Sequence, residues 1–367
     1  MSFTFQNKDF HISRYPKTSL NSLKAWNAAD ELTLNYLEEN KLLNSNISIY
    51  HDRFGFLTTL LADRDITSVI LFKSQEKAIW QNLSDNSIPH ESIKYAYPLD
   101  KIEKHIDTAI IKIPKSADLF ELYLQQLSQS INEQSIVIGS FMTKYFNKSM
   151  IEIAEKYFGD ITQSKAHKKA RLLILKHPKP YKERSLIKEI KYKDEISFKQ
   201  YFGVFSAKNI DYATQFFMEH LSISEKDDKI MDLGSGNGVL AWKARELNRT
   251  AKINLLDDNY LAIESSKLNM GEGACFYHFN DDLSHISNNS YDLVISNPPF
   301  HFEHENNIEV SLNLFSQVAK ILKPKGSFQL VGNKHLNYKT HLSKIFKTIE
   351  VVAENDKFVV YHCLKKG

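Results

Sequence analysis

At 367 residues the chain is longer than the ~100–200 residues of a usual domain, which predicts two cores. Hydrophobic residues at 42% and charged residues at 25% exclude a disordered or fibrous chain, and a net charge of +3 excludes nucleic-acid binding by total charge alone, so any basic surface has to be local. Two cysteines, Cys275 and Cys363, exclude a disulfide framework and a paired-cysteine zinc site, which fits a reducing compartment.

Residues 1–20 are polar, with Lys8, Asp9, Arg14 and Lys17 and no apolar run, so no signal peptide is expected. No stretch approaches the ~20 apolar residues of a membrane span, and a cytoplasmic protein without membrane partners is expected. Residues 23–40 place Trp26, Ala29, Leu32, Leu34 and Leu37 at the spacing of an amphipathic helix. Residues 47–50 read as a strand that runs into His51-Asp52-Arg53-Phe54-Gly55, followed by a helix over 56–62. Strand 68–72, helix 73–83, strand 108–113 stopped by Pro114, helix 117–130 and strand 135–140 complete the series. Strands alternating with helices predict a parallel sheet with helices on both faces.

From Lys229 the plan repeats: strand, glycine loop, helix, a strand ending in Asp257-Asp258, a helix over 259–270, a strand over 274–279 and another over 292–296. Asp107-Thr108-Ala109-Ile110-Ile111-Lys112-Ile113-Pro114 aligns without a gap on Asp292-Leu293-Val294-Ile295-Ser296-Asn297-Pro298-Pro299, so a duplicated α/β unit is expected, with domains over 1–180 and 181–367. The copies differ where chemistry would sit. The first lacks the glycine spacing of Gly234, Gly236 and Gly238, its Arg53 and Phe54 would block close approach of a nucleotide, and Lys112 stands where Asn297 stands.

Between the copies, residues 165–193 hold eleven Lys or Arg against Glu183 and Glu189, with a stiff break at His177-Pro178-Lys179-Pro180. Such a run is commonly a solvated linker. Beside a nucleobase site it becomes a candidate phosphate contact, with Lys168, Lys169, Arg171, Lys176 and Lys179 the expected RNA-binding residues.

The strand from Lys229 leads through Asp232 into Gly234-Ser235-Gly236-Asn237-Gly238, with a helix behind. That context suits nucleotide binding, but the spacing is Gly-x-Gly-x-Gly, and an acid ahead of the loop would repel a pyrophosphate while suiting the cationic amino-acid end of S-adenosylmethionine. Asp257, with Asp258 beside it, closes the next strand and is placed to accept from ribose hydroxyls; Asn280-Asp281-Asp282 follow the third, where Asp281 could meet an adenine amine. Taken singly these are also ordinary turn acids.

Ser296-Asn297-Pro298-Pro299-Phe300-His301 ends a short strand, since prolines cannot supply ladder donors. Asn297 and the carbonyls held before the prolines are acceptors that could grip the hydrogens of an exocyclic amine, aim its lone pair at an electrophile and leave Phe300 to stack on the base. Alone, the tetrad could equally be a strand end capped by Asn.

Read together, these motifs resemble the two-domain ribosomal RNA guanine-N2 methyltransferases, the RsmC/RlmG family, and most of all its large-subunit (23S) members. Ala25-Trp26-Asn27-Ala28-Ala29-Asp30-Glu31, Lys168-Lys169-Ala170-Arg171-Leu172, Gly203-Val204-Phe205-Ser206, the glycine loop, Asn297-Pro298-Pro299-Phe300-His301, Asn333-Lys334-His335-Leu336 and residues 355–360 carry the resemblance. It implies two tandem Rossmann-like class I methyltransferase domains, the first without cofactor and assisting RNA binding, and a second seven-stranded sheet ending in an antiparallel hairpin near residues 349–352 and 358–364. It implies S-adenosylmethionine as cofactor, ribosomal RNA as partner, no metal and a monomer. Asn297, Pro298, Pro299 and Phe300 are the implied catalytic residues. Phe205, Asp211, Asp232, Gly234, Ser235, Gly236, Gly238, Asp257, Asp258, Asp281 and Asn297 are the implied cofactor residues. The family pattern is broken at Ala207 and Asn209, where an Arg and a Gly are usual, and Ser235 replaces a frequent Cys. The alternatives are a 16S enzyme, an adenine-N6 or protein-glutamine methyltransferase sharing Asn-Pro-Pro, and a non-catalytic RNA-binding assembly factor.

Overall fold

The structure, a computed structural model, describes residues 1–17, 23–102, 105–193, 195–206, 209–298 and 308–366, with 308–310 by backbone only. The chain divides into two compact units, Met1–Leu186 and Ile187–Gly367.

In the first unit a hairpin of β1 (Ser2–Phe5) and β2 (Lys8–His11) precedes α1 (Ala28–Glu39), whose first turn is closed by a capping box between Asn27 and Asp30. There follow β3 (Ile47–Tyr50), α2 (Phe56–Leu60), β4 (Ile66–Val69), α3 (Lys73–Asp85), β5 (Lys94–Ala96), β6 (Thr108–Lys112), α4 (Ala117–Leu127), β7 (Ile136–Met142), α5 (Lys148–Ala154), β8 (Phe158–Gln163) and β9 (Ala170–Pro178). They form one sheet in the order β5-β4-β3-β6-β7-β9-β8, with β9 antiparallel to β7 and to β8. Residues 135–140 therefore do not close the series. Leu172 to Leu175 are buried residue after residue, the pattern of a strand covered on both faces, and this places β9 inside the sheet.

The second unit opens with a hairpin of β10 (Ile187–Tyr192) and β11 (Ile196–Tyr201), then α6 (Tyr212–His220), β12 (Lys229–Leu233), α7 (Val239–Leu247), β13 (Lys252–Asp257), α8 (Tyr260–Met270), β14 (Phe276–Phe279) and β15 (Tyr291–Ser296). It ends with α9 (Ile308–Ile321), β16 (Leu322–Asn333), α10 (Tyr338–Ile345), β17 (Thr348–Glu354) and β18 (Phe358–Leu364), the last two an antiparallel pair. The order β14-β13-β12-β15-β16-β18-β17 repeats the first sheet strand for strand. One core of this unit centres on Phe217, Leu255 and Leu293, the other on Phe315, Phe328 and Tyr338.

The registers make the two sheets comparable residue by residue. Ile47 pairs with Ile66 and Thr108, as Ile230 pairs with Ile253 and Leu293. Counting on from these points sets Ile49 against Asp232, Arg53 against Gly236, Gly55 against Gly238, Ile70 against Asp257 and Lys112 against Asn297. Gly55 and Gly238 both take the left-handed conformation, and His51 keeps it opposite Gly234, so the turn survived while its surroundings changed. Arg53 is buried, donating to Ser74 Oγ at 2.7 Å and lying over the Phe72 ring. No helix among the described residues is long and apolar enough to cross a membrane.

Candidate active site

Parallel strands β12, β13 and β15 are neighbours and end at one edge of the second sheet, which gathers their carboxyl-terminal residues. Ser296 at the end of β15 donates its hydroxyl to Leu233 O at 2.6 Å and so fastens β15 to β12.

The glycine loop is tied down from β13. Gly234 and Ser235 N–H donate to Leu256 O at 2.8 and 3.1 Å, and Gly236 N–H donates to Asp257 Oδ2 at 2.9 Å. These donors are used within the fold, so they do not form the phosphate cradle in which loop N–H groups point at the ligand. Gly234, Gly236 and Gly238 all have positive φ, and a Cβ added at Gly236 would meet nothing within 4 Å. The loop offers space, and acids line it.

Asp232 is fully buried; its Oδ2 accepts from Ala241 N–H at 3.0 Å, and its Oδ1 is buried without a hydrogen-bond partner among the described residues. Burial pushes its carboxyl up to about 8 against the pull of the Ala241 N–H, with Asp257 adding to the rise. Asp257 is half-buried and is raised less, to about 6, again by burial first. It accepts from Asn259 N–H at 2.8 Å as well as from Gly236, and each oxygen keeps capacity for a further donor. Asp258 follows it, and Asp281 lies half-buried in the loop after β14, its N–H donating to Asn280 Oδ1. A buried carboxylate oxygen without a partner, beside an open glycine, fits a ligand that carries a cation and several hydroxyls.

Asn297 follows β15, and its amide orientation is fixed by its neighbours. Nδ2 donates to Thr214 Oγ1 at 2.8 Å and to Asp211 Oδ2 at 3.1 Å; a carboxylate accepts only, so the NH2 must face it. Oδ1 is left buried and, among the described residues, unpartnered. Asp211 is the N-cap of α6 and also accepts from Ala213 and Thr214 N–H, so the helix start holds the group that holds Asn297. Pro298 is buried behind it. Pro299, Phe300 and His301 lie outside the described residues, as do Ala207 and Lys208.

Two residues of this arrangement were missed in the sequence. Thr214 sits three positions after the capping Asp211 and is 7% exposed, a spacing legible only once the helix start is known. Gln200, 1% exposed on β11, donates to the carbonyls of Val204, Phe205 and Ser206 at 3.4 Å and accepts from Asn237 Nδ2 at 3.0 Å. A glutamine on the inward phase of an alternating strand was the available signal. It joins the Val204–Ser206 segment to the glycine loop, while the Phe205 side chain itself is 73% exposed.

Only residues 179–186 of the basic run, with Lys179, Lys182 and Arg184, are irregular chain between β9 and β10; most of the rest is built into the sheets. Arg171 and Lys176 belong to β9, Lys168 and Lys169 form the positive-φ turn before it, and Lys179 donates to Glu155 O just after it. Lys168 Nζ lies 3.5 Å from Glu31, and Arg171 Nη1 donates to Gln163 at 3.3 Å. All five are in the first unit, and the run ends on β10, where Lys191 is exposed and Lys188 half-buried, and on Lys193 just after it.

Residues 1–180 match the family model described as the RLMG N-terminal domain, and residues 195–362 match that of the methyltransferase small domain. The chain is 32% identical to a ribosomal RNA large subunit methyltransferase G of Psychromonas ingrahamii, over 96% of each chain, and 31% identical to one of Photobacterium profundum, over 99% of each. Among solved structures it is similar in fold to the T. thermophilus 16S rRNA N2 G1207 methyltransferase RsmC, at a TM-score of 0.77 and 16% identity, over 100% of this chain and 98% of that one. With both domain families matched in order and relatives aligned from end to end, the chain belongs to the ribosomal RNA large subunit methyltransferase G family.

Proposed function

We propose that the second unit transfers a methyl group from S-adenosylmethionine to the exocyclic N2 amine of a guanine in 23S ribosomal RNA. The observation that carries this reading is the orientation of Asn297, with Nδ2 anchored on Thr214 and Asp211 and Oδ1 bare at the sheet edge. The amine of a guanine is a poor nucleophile because its lone pair is delocalised into the ring. A fixed acceptor on one of its hydrogens favours the pyramidal nitrogen whose lone pair points at the methyl, which is positioning and transition-state electrostatics in one contact. An amide oxygen takes no proton, and the nitrogen sheds its own after the methyl arrives, when it is strongly acidic.

S-adenosylmethionine, when bound, supplies the electrophilic methyl. Asp232 Oδ1 is the partner for a cationic amino-acid end, Asp257 with Asp258 for ribose hydroxyls and Asp281 for an adenine amine, while Gly234, Ser235, Gly236 and Gly238 give the space. Phe205 and Asp211 cover and brace the site, and Pro298, Pro299 and Phe300 complete the grip on the base. The first unit, with Ile49, Ile70 and Arg53 where these acids and Gly236 stand, binds RNA instead, through Lys168, Lys169, Arg171, Lys176 and Lys179. A monomer is enough for this reaction, since the catalytic edge is built from the strands of one chain.

The relatives at 31–32% identity are named for the large subunit, which favours 23S over the 16S substrate for which the structural neighbour is named. An adenine-N6 or protein-glutamine reading would share the Asn-Pro-Pro sequence but gives no account of the RLMG N-terminal domain match over residues 1–180. A non-catalytic assembly factor has no use for a bare acceptor beside paired acids. Mass mapping of methylated guanines in 23S and 16S rRNA, from cells with and without this protein, tests the reading: loss of one N2-methylguanine from 23S supports it, and an unchanged 23S map overturns it.

A further inference from the structure

The carboxyl edge of the first sheet has lost two strand-end acids and carries exposed lysines, Lys115 and Lys144, in the loops beyond its strands. At positions in register with Asp232 and Asp257 it carries Ile49 and Ile70, and where the second unit reads Asn297-Pro298-Pro299-Phe300 it reads Lys112-Ile113-Pro114-Lys115. Lys112 is turned inward, 3.0 Å from Asp30, but Lys115 is exposed. The next strand end matches too, because Ile111 pairs with Gly139 as Ser296 pairs with Leu330. This sets Lys144 and Tyr145 against His335 and Leu336, each pair on a short 3-10 turn after its strand.

Tyr145 is 39% exposed, with Lys115 Nζ 5.2 Å and Lys144 Nζ 5.4 Å from its ring centroid. Thr143 N–H donates to Lys169 O at 2.9 Å, which brings the Lys168-Lys169 turn against the same segment. An exposed aromatic ring flanked by two ammonium groups, with the Lys168-Lys169 turn hydrogen-bonded to the same segment, combines a stacking surface with phosphate counter-charges, the two features that hold single strands without base-edge readout.

We propose that this edge binds a single-stranded segment of RNA, one base stacking on Tyr145 and the adjoining phosphates meeting Lys115, Lys144, Lys168 and Lys169. The proposal rests on the ribosomal RNA reading above and adds a site to it: the edge that holds the cofactor in one copy holds substrate in the other.

The test is fluorescence anisotropy of a labelled single-stranded 12-nucleotide RNA of mixed sequence with the full chain, and filter binding of protein-free 23S rRNA. Tyr145→Ala should weaken 12-mer binding roughly tenfold, the usual scale of one lost base stack, and Tyr145→Phe should restore it. Lys115→Gln with Lys144→Gln should lower the slope of log affinity against log salt by about 1.4, two phosphate contacts on a single strand. If the wild type binds neither RNA, the ribosomal RNA reading itself fails. If it binds but Tyr145→Ala binds equally well, or a 12-base-pair duplex binds as tightly as the single strand, the proposed site fails while that reading stands. Displacement of the 12-mer by polyglutamate at equal charge concentration would mark a protein-docking surface and also overturn it.

Discussion

Lys112 and Asn297 stand at the same register position of two sheets with one strand order, and each binds the third residue of the first helix of its unit. Lys112 Nζ lies 3.0 Å from Asp30 Oδ1, and Asn297 Nδ2 lies 2.8 Å from Thr214 Oγ1. The contact was kept and its chemistry exchanged: an ion pair that serves the fold in one copy, a hydrogen bond that presents an acceptor in the other.

The exchange predicts a stability role for Lys112. Asp30 and Asp52 are fully buried, and Lys112 is the cation facing both, at 3.0 and 3.9 Å. Burial raises the Asp52 carboxyl, and Lys112 is the main influence holding it down. Lys112→Met leaves two buried acids uncompensated and should cost the first unit about 3–5 kcal/mol, the scale of breaking a buried pair. Urea unfolding should show an earlier transition for that unit, with S-adenosylmethionine affinity unchanged.

For Asp257 the expected effect falls on the ligand and the loop. Asp257→Ala removes the proposed ribose acceptor and frees the Gly236 N–H, yet it also removes a carboxyl held up at about 6 by burial, which offsets part of the structural loss. Calorimetry should find S-adenosylmethionine affinity down ten- to a hundredfold, the effect of one charged hydrogen bond worth about 1.5–3 kcal/mol. Hydrogen exchange should speed up at residues 234–238 while the melting temperature shifts little.

Much of this was legible in the sequence wherever the pattern was local. The helix over Val239–Leu247 and the strand to Asp257 followed from glycine spacing and apolar periodicity, and the duplication from the match of residues 107–114 with 292–299. The strands β9, β10 and β11 were hidden because their lysines look like a solvated run. In β10 and β11 Glu189, Lys191 and Lys199 alternate with Ile190, Phe198 and Gln200, which face inward, while Lys188 shares the phase of Ile190. The direction of the Asn297 amide could not be read at all, because it depends on Asp211 and Thr214, more than eighty positions away.

Asp232 predicts a pH dependence of stability. Its carboxyl titrates near 8 in the fold against an ordinary 3.8, so the native state holds the proton more tightly than the unfolded chain does. Stability is therefore lost as pH rises from about 4 to about 8, and the ionised acid is buried at full cost above that. Asp232→Asn keeps an acceptor for the Ala241 N–H and cannot ionise. Thermal melts should show it more stable than wild type at pH 8.5 and level with it near pH 4, while its S-adenosylmethionine affinity should be lower because the proposed partner of the cation is gone.

At Asn297 substitutions separate positioning from proton abstraction. Asn297→Ala removes the acceptor, and single-turnover methylation should slow about 10²–10³-fold, as for one lost transition-state hydrogen bond, with cofactor affinity little changed. Thr214→Val removes one of the two anchors of Nδ2 and leaves Asp211 at 3.1 Å, so a smaller loss is expected. Asn297→Asp sets a carboxyl against Asp211 Oδ2 where an NH2 stood, and two carboxylates that close cannot both ionise. At lower pH the pair shares a proton and stays in place, whereas above that pH repulsion pushes the two groups apart and spoils the aim of the acceptor, so the variant's rate should rise as pH falls toward 6. The wild-type rate should stay level over the same range, because an amide has nothing to titrate there. A wild-type rate that fell instead with a single protonation, traced to a side chain whose removal is as damaging as Asn297→Ala, would place a general base in the reaction and overturn positioning as its main source of rate.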